Sequence, residues 1–156
     1  MQIDKFMKQQ VISIGDTATA REAAVLFATH HIGTLPVVNA QHKLIGILYM
    51  RDLLRLVMPG FIELMADFDF VLGDFGDYEE REPSPEAEAR PVRELMETAV
   101  SVTADSGLLR AFALIVNHNL TDLPVVDPDG RLVGIASHVD IGAALLARWN
   151  DSIFPT

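Results

Sequence analysis

Two aspartates, Asp52 and Asp140, each stand six residues after a glycine embedded in a short apolar run, Leu44-Ile45-Gly46-Ile47 and Leu132-Val133-Gly134-Ile135. A carboxylate at a junction of strand and helix can accept hydrogen bonds from both hydroxyls of a ribose, as acidic residues do in dinucleotide-binding folds. The same side chain can instead be an N-cap that satisfies an orphan helix N–H, worth about 1 kcal/mol with no ligand present. Both readings stand on the residues alone. Arg51, beside Asp52, can pair with a phosphate or be a solvated arginine at a helix end. Ser137 and His138, just before Asp140, offer a hydroxyl and an imidazole that charges at mildly acid pH. Tyr49 stands three residues before Asp52, as Ser137 does before Asp140, and brings a bulkier aromatic ring in place of a small hydroxyl side chain. The sequence contains no Gly-x-Ser-x-Gly elbow, no phosphate-cradling glycine loop followed by Lys-Ser/Thr and no His-Glu-x-x-His. The five histidines lack ligand spacing, and the chain has no cysteine, so no metal site and no catalytic residue is predicted. His30 and His118 instead suit helix C-termini, where an imidazolium favours the dipole.

These residues are placed by an internal repeat. At an offset of 88, Leu35-Pro36-Val37-Val38 falls on Leu123-Pro124-Val125-Val126, Gly46 on Gly134, Asp52 on Asp140, Ala23 on Ala111 and His30 on His118. The register holds without a gap from Ser13 and Ser101 onward, and a one-residue shift upstream pairs Phe6-Met7 with Leu95-Met96. Within a copy the pattern changes period in order. A β-branched run comes first (Val11 to Ile14; Val100 to Val102), then a helix, opened in the first copy by the capping box Thr19-Ala20-Arg21-Glu22. Its apolar face is read as Ala23, Ala24, Phe27 and His31, and in the second copy as Leu108, Leu109, Phe112, Ile115 and Val116. Leu-Pro-Val-Val and Leu-(Ile/Val)-Gly-Ile flank polar turns and read as a hairpin. Asp52 and Asp140 then open second helices over Leu53 to Val57 and Ile141 to Trp149. Two copies are too few for a solenoid, so a pseudo-symmetric pair burying a shared face is expected.

The lead-in Met, β-branched strand, helix, Leu-Pro-Val-Val, turn, Leu-(Ile/Val)-Gly-Ile and following Asp, present twice in the same order, resemble the cystathionine-β-synthase-type (CBS) domain. The resemblance implies a stand-alone pair of β-α-β-β-α repeats of α/β (α+β) class, packed with pseudo-two-fold symmetry into a Bateman module. The expected units are residues 1–58 and 92–149, with an insert at 59–91 and a tail at 150–156. It further implies two clefts that hold adenosyl compounds, with Asp140, Ser137 and His138 at one and Asp52, Arg51 and Tyr49 at the other. Ile12, Ser13, Val100 and Ser101 would line the adenine pockets. Two residues before each proline stand Thr34 and Asp122; Thr34 suits a ligand, whereas Asp122 repels a phosphate set beside it. That disfavours a triphosphate and leaves a monophosphate, a neutral or cationic adenosyl compound such as S-adenosylmethionine, or an empty cleft. The implied role is a non-catalytic sensor of AMP, ADP, ATP, NAD or S-adenosylmethionine that needs no cofactor, forms a homodimer and reports occupancy to a regulated protein. The competing reading is a ligand-free oligomerisation or interaction module.

That competing reading draws on the insert. Phe61, Met65, Phe68, Leu72 and Phe75 recur at steps of four and three, which marks an amphipathic helix able to dock on its own module, on a second copy or on a partner. Residues 79–91 are rich in Pro, Glu and Ala and read as extended or mobile. The net charge of the chain is −10, yet residues 58–90 hold ten acidic and two basic side chains, so −8 is local to the insert. The acidic balance argues against nucleic acid, whose affinity comes from many Lys and Arg contacts. Without an apolar leader or a span of about 18 apolar residues, no membrane partner is expected and the cytoplasm is the expected compartment.

Overall fold

The computed structural model describes residues 1–58 and 82–153, with side chains described as far as Trp149. Each half contains one three-stranded sheet and two long helices. The first comprises β1 (Ile14–Gly15), α1 (Ala20–His30), β2 (Thr34–Val38), β3 (Leu44–Tyr49) and α2 (Met50–Val57). The second comprises β4 (Val102–Thr103), α3 (Leu108–His118), β5 (Asp122–Val126), β6 (Leu132–Ser137) and α4 (His138–Ile153). The strand orders are β1-β2-β3 and β4-β5-β6, the first pair of each parallel and the second antiparallel. This is the expected pair of β-α-β-β-α repeats. The amphipathic stripe Phe61 to Phe75 lies outside the described residues.

Local chemistry accounts for the elements. Thr19 and Glu22 form the expected capping box, the Thr19 N–H donating to Glu22 Oε2 at 2.8 Å. Both hairpins turn on one side-chain oxygen: Asn39 Oδ1 accepts from the Gln41 and Lys43 N–H groups, and Asp127 Oδ1 from Asp129 and Arg131. At the end of each turn the chain takes positive φ, 62° at His42 and 84° at Gly130, a geometry glycine adopts without steric penalty.

Four expectations are corrected. Residues 79–91, read as extended or mobile, contain the single helical turn Pro85–Glu88, capped by Ser84 Oγ accepting from the Ala87 N–H at 3.1 Å. The β-branched runs enter the ladder only at their ends, because Ile14 and Gly15 pair with Val37 and Val38 while Ile12, Ser13, Val100 and Ser101 remain outside it. The second helices begin at Met50 and His138, so Asp52 and Asp140 lie at the third helical position rather than at the N-cap. The buried face of α3 is Leu108, Ala111 and Ile115, whereas Leu109 and Val116 are 74% and 60% exposed. In α1, Ala24 and His31 are likewise exposed, and Ala20, Ala23 and Phe27 are buried.

The two halves are joined by crossing. The single turn Ile3–Lys5 packs into the core of the second half, where Ile3 is fully buried with Leu123, Val125 and Ile141. The single turn Val92–Leu95 packs into the core of the first, where Val92 is fully buried with Phe27, Leu35 and Leu48. Each lead-in then hydrogen-bonds to the free edge of the other half's hairpin: Lys8 exchanges two backbone bonds with Ile135 (2.8 and 3.0 Å), and Glu97 two with Ile47 (2.7 and 2.9 Å). The contact is possible because the neighbouring strand residues are glycines. A Cβ on Gly134 would collide with Met7 Sδ and lie 3.2 Å from the Lys8 carbonyl oxygen, and one on Gly46 would collide with Met96 Sδ and lie 3.1 Å from that of Glu97. The hairpin tips also pair reciprocally, Leu44 N–H to Gly130 O and Leu132 N–H to His42 O, as an isologous contact requires.

Gly134→Ala is therefore expected to lower unfolding free energy by about 1–3 kcal/mol, the usual cost of overpacking. Urea denaturation measures it, and an unchanged midpoint would show that the Met7 contact is loose.

Candidate functional site

At the N-terminal ends of β2 and β5 the pseudo-equivalent residues Thr34 and Asp122 meet. Thr34 Oγ1 donates to Asp122 Oδ2 at 2.8 Å, and the Thr121 hydroxyl donates to the same oxygen at 3.1 Å. Asp122 thus serves as the hydrogen-bonded joint between the halves, its carboxylate taken up by two hydroxyls. Next to it in the sheets, Thr34 pairs with Tyr49 and Asp122 with Ser137, which brings the ends of β3 and β6 and the starts of α2 and α4 to this same edge.

In the second half Ser137 and Asp140 hold each other. The Ser137 N–H donates to Asp140 Oδ2 (3.1 Å), and the Asp140 N–H donates to Ser137 Oγ (3.0 Å), so the helix start is a capping box with Asp in the position usually held by Glu or Gln. This explains why Asp stands three residues after Ser. Asp140 Oδ1 makes no hydrogen bond among the described residues, and both side chains are partly exposed. His138 Nδ1 lies 3.3 Å from the Thr121 carbonyl, an anchor that no motif in the sequence signals.

The first half repeats the skeleton with different side chains and is closed. Asp52 is 8% exposed; its Oδ2 accepts from the Tyr49 N–H (2.9 Å) and its Oδ1 lies 3.6 Å from Arg55 Nη1. Tyr49 is 7% exposed, and the Arg51 guanidinium covers its ring at 4.1 Å from the centroid. Arg51 is held in turn by Glu97, 3.2 Å from Nη2 to Oε2. Glu97 comes from the crossing lead-in of the second repeat and was not among the residues singled out in the sequence. Only the pairing of Met7 with Met96, which sets Lys8 against Glu97, pointed to it.

Electrostatics follows from this crowding. Burial, and then the Glu97 carboxylate, push the Tyr49 hydroxyl above its ordinary value. Desolvation, and then the hydrogen bond and charge of Asp52, push Glu97 above the usual carboxylate range against the opposing pull of Arg51.

The remaining expected residues are dispersed. Ile12 and Val100 pack partly buried against the two cores, so their apolar atoms are committed to the fold. Ser101 lines a shallow concavity of about 500 Å³ with Thr103, Asp105, Ser106 and Arg110, beside the C-terminal end of β5 and away from Asp122 and Ser137. Ser13 precedes β1, is partly buried, and makes no side-chain hydrogen bond among the described residues.

A pair of three-stranded sheets joined edge to edge, with an aspartate capping box at the start of each second helix, defines a CBS-pair fold. The CBS domain family matches this chain at residues 3–59 and 92–147, and the protein belongs to that family. The chain is 30% identical over 160 residues to the uncharacterized protein MJ1426 of Methanocaldococcus jannaschii, covering 94% of this chain and 92% of that protein. Other curated relatives are longer, and this chain spans 60% of one of them. Among solved structures, CBSX2 in complex with AMP superimposes with a TM-score of 0.69 at 22% identity, covering 95% of this chain and 98% of that one. The CBS domain pair of protein MJ0100, in complex with 5′-methylthioadenosine and S-adenosyl-L-methionine, gives 0.66 at 19% identity, with the same coverage of 95% and 98%. At these identities the structural likeness establishes the fold.

Glu97→Gln tests the acidic crowding. Because Glu97 has a folded pKa above its unfolded one, its ionisation lowers stability as pH rises through the carboxylate range, and the cost is absent below the unfolded pKa. The amide variant should flatten that fall, by less than about 1 kcal/mol because the side chain is solvent-screened. Melting temperatures from pH 4 to 7 that run parallel in variant and parent would contradict it.

Proposed function

We propose that this protein is a non-catalytic regulatory CBS pair that senses an adenosyl ligand at the half built by Ser137 and Asp140 and passes its occupancy to another protein. The observation that carries this reading is the unequal use of the two aspartates. Asp52 spends both oxygens on Tyr49 and Arg55 and is buried, whereas Asp140 keeps Oδ1 unbonded among the described residues at a partly open edge. A ribose diol needs such a free carboxylate oxygen. AMP, ADP, ATP, NAD and S-adenosylmethionine all present that diol, and related pairs solved with AMP, or with 5′-methylthioadenosine and S-adenosylmethionine, support the class. The capping box around Asp140 and Ser137 is a structural role that a ligand-binding role can share, since it uses only one carboxylate oxygen.

Calorimetric or thermal-shift titration with these five compounds tests the reading. A ligand at 100 times its Kd should add about 2.7 kcal/mol to stability. Asp140→Ala should abolish saturable binding and, through the lost cap, cost about 0.5–2 kcal/mol while unfolding stays cooperative. No saturable response to any of the five at millimolar concentration would defeat the adenosyl reading.

The pair is further proposed to act as a homodimer. Leu109, Phe112 and Val116 form a second apolar stripe on the outer side of α3, and Leu146 and Trp149 are 55% and 64% exposed on α4, which packs against α3. Such a stripe, left bare in one chain, matches what a self-complementary interface buries. Sedimentation equilibrium should give a dimer at micromolar concentration that Leu109→Asp converts to monomer; a monomeric parent would remove this part of the proposal.

A further inference from the structure

The crossing of the lead-ins places one charged residue of each repeat on the hairpin edge of the other, and the two charges are opposite. Glu97 and Lys8 occupy equivalent backbone positions: each exchanges two hydrogen bonds with the residue after the strand glycine, Ile47 or Ile135, and each follows the methionine that covers that glycine. From this position Glu97 reaches Arg51 and Asp52 in the first half. Lys8 holds the same position on the second half, its backbone on Ile135, and by the pseudo-symmetry of the repeats it faces Val139 and Asp140 as Glu97 faces Arg51 and Asp52. It is exposed, and it makes no ion pair or side-chain hydrogen bond among the described residues. Val139, which stands where Arg51 stands in the first half, is 60% exposed and brings no countercharge of its own.

We propose that Lys8 and Glu97 determine ligand charge and number: Lys8 makes the Asp140 half selective for an adenosyl ligand bearing a phosphate, and Glu97 closes the Asp52 half to one. This inference rests on the adenosyl reading of the Asp140 half and adds to it a specificity residue, a charge requirement and a stoichiometry. In the first half the ring of Tyr49, the guanidinium of Arg51 and the carboxylate of Glu97 form a stacked and ion-paired set. They occupy internally what a base, a cation and an anion would otherwise occupy. A phosphate there would meet Asp52 and Glu97 together, with Arg51 already paired. The second half has no counterpart of Glu97 at the lead-in, its aspartate Asp140 is the one the ribose engages, and Asp122 has its Oδ2 held by two threonine hydroxyls. An ammonium on a flexible stem can cover a phosphate from the lead-in side without a fixed fork.

The experiment is calorimetry of the full chain with AMP and with adenosine, which differ only in the phosphate, on the parent and on Lys8→Glu and Lys8→Met. The parent should bind one AMP per chain, about ten-fold or more tighter than adenosine, the scale of one charge-assisted contact. Lys8→Met should bring AMP to the affinity of adenosine and Lys8→Glu should bring it below, with adenosine affinity unchanged in both. Because Lys8 bonds only through its backbone, melting curves like the parent's are expected and confirm that the fold is intact. An AMP-to-adenosine ratio unchanged by either substitution, two AMP per chain, or binding of S-adenosylmethionine but not AMP would overturn the inference and leave the adenosyl reading in place. Absence of binding by adenosine and by all five compounds of the ligand titration would remove both.

Discussion

Everything in this fold depends on a side chain of one repeat lying over a glycine of the other. Met7 sits on Gly134 and Met96 on Gly46, and the backbone following each methionine bonds to the hairpin edge beside that glycine. Neither half has a complete core of its own: the first lacks Val92 and Leu95, and the second lacks Ile3 and Phe6, unless the other supplies them. Fully burying one such aliphatic side chain contributes about 1.5–3 kcal/mol, which is a large share of what a small domain has to spare. The halves are therefore bound to fold as one cooperative unit. The free edges of β3 and β6, which would otherwise be open to pairing with other chains, are covered in the same step.

Crossing also decides which residues share a site. Because each lead-in joins the opposite sheet, the groups around Asp52 come from both ends of the chain's repeat pattern: Tyr49, Arg51 and Arg55 from the first copy, Glu97 from the second. A duplicated backbone then lets the two halves diverge by side chain alone. The last position of β3 or β6 carries Tyr or Ser, the second helical position after it Arg or Val, and the lead-in Glu or Lys. Each exchange moves the first half toward closure and the second toward openness. Even the joint obeys this division, since Thr34 is buried while Asp122, its equivalent, is only partly so. The repulsion expected between Asp122 and a phosphate is blunted by the two hydroxyls that bond it.

The repeat, the hairpins, the turn residues and the aspartates at the helix starts were legible because each rests on contacts within about ten residues. Leu-Pro-Val-Val and the strand glycine repeat at one offset, and Asn39 and Asp127 bond their own turns. The crossing was not legible, because sequence similarity between the copies is the same whether a lead-in packs on its own sheet or on the other. The position of Asp52 and Asp140 was misjudged by one turn, since Tyr49 and Ser137 read as the last residues of strands and are also N-caps. The face of α3 was misjudged because it is apolar on two sides: Leu108, Ala111 and Ile115 follow the same three-and-four spacing as Leu109, Phe112 and Val116. Periodicity identifies stripes, and only tertiary packing chooses between them.

The two stripes of α3 bear on how a small ligand can be read at a distance. α4 begins at the Ser137–Asp140 capping box and carries Leu146 and Trp149 on its exposed side, packed against α3 with its own outer stripe. A ligand that draws on Asp140 acts on the first turn of that helix, and a rigid helix transmits displacement of its start to its far end. The corresponding surface of the first half is already partly covered by the chain itself. Glu82, Pro83, Ala87 and Glu88 border the groove between α1 and α2, and Glu88 pairs with Arg21 at 3.3 Å. The second half thus carries both the open edge at Asp140 and a bare helical stripe, while in the first half Val25, Leu54 and Val57 stay exposed on α1 and α2. A ligand shifts an equilibrium only by its differential affinity for two states, so on the proposed reading the two states have to differ in α4, which carries both the Asp140 capping box and an exposed apolar side.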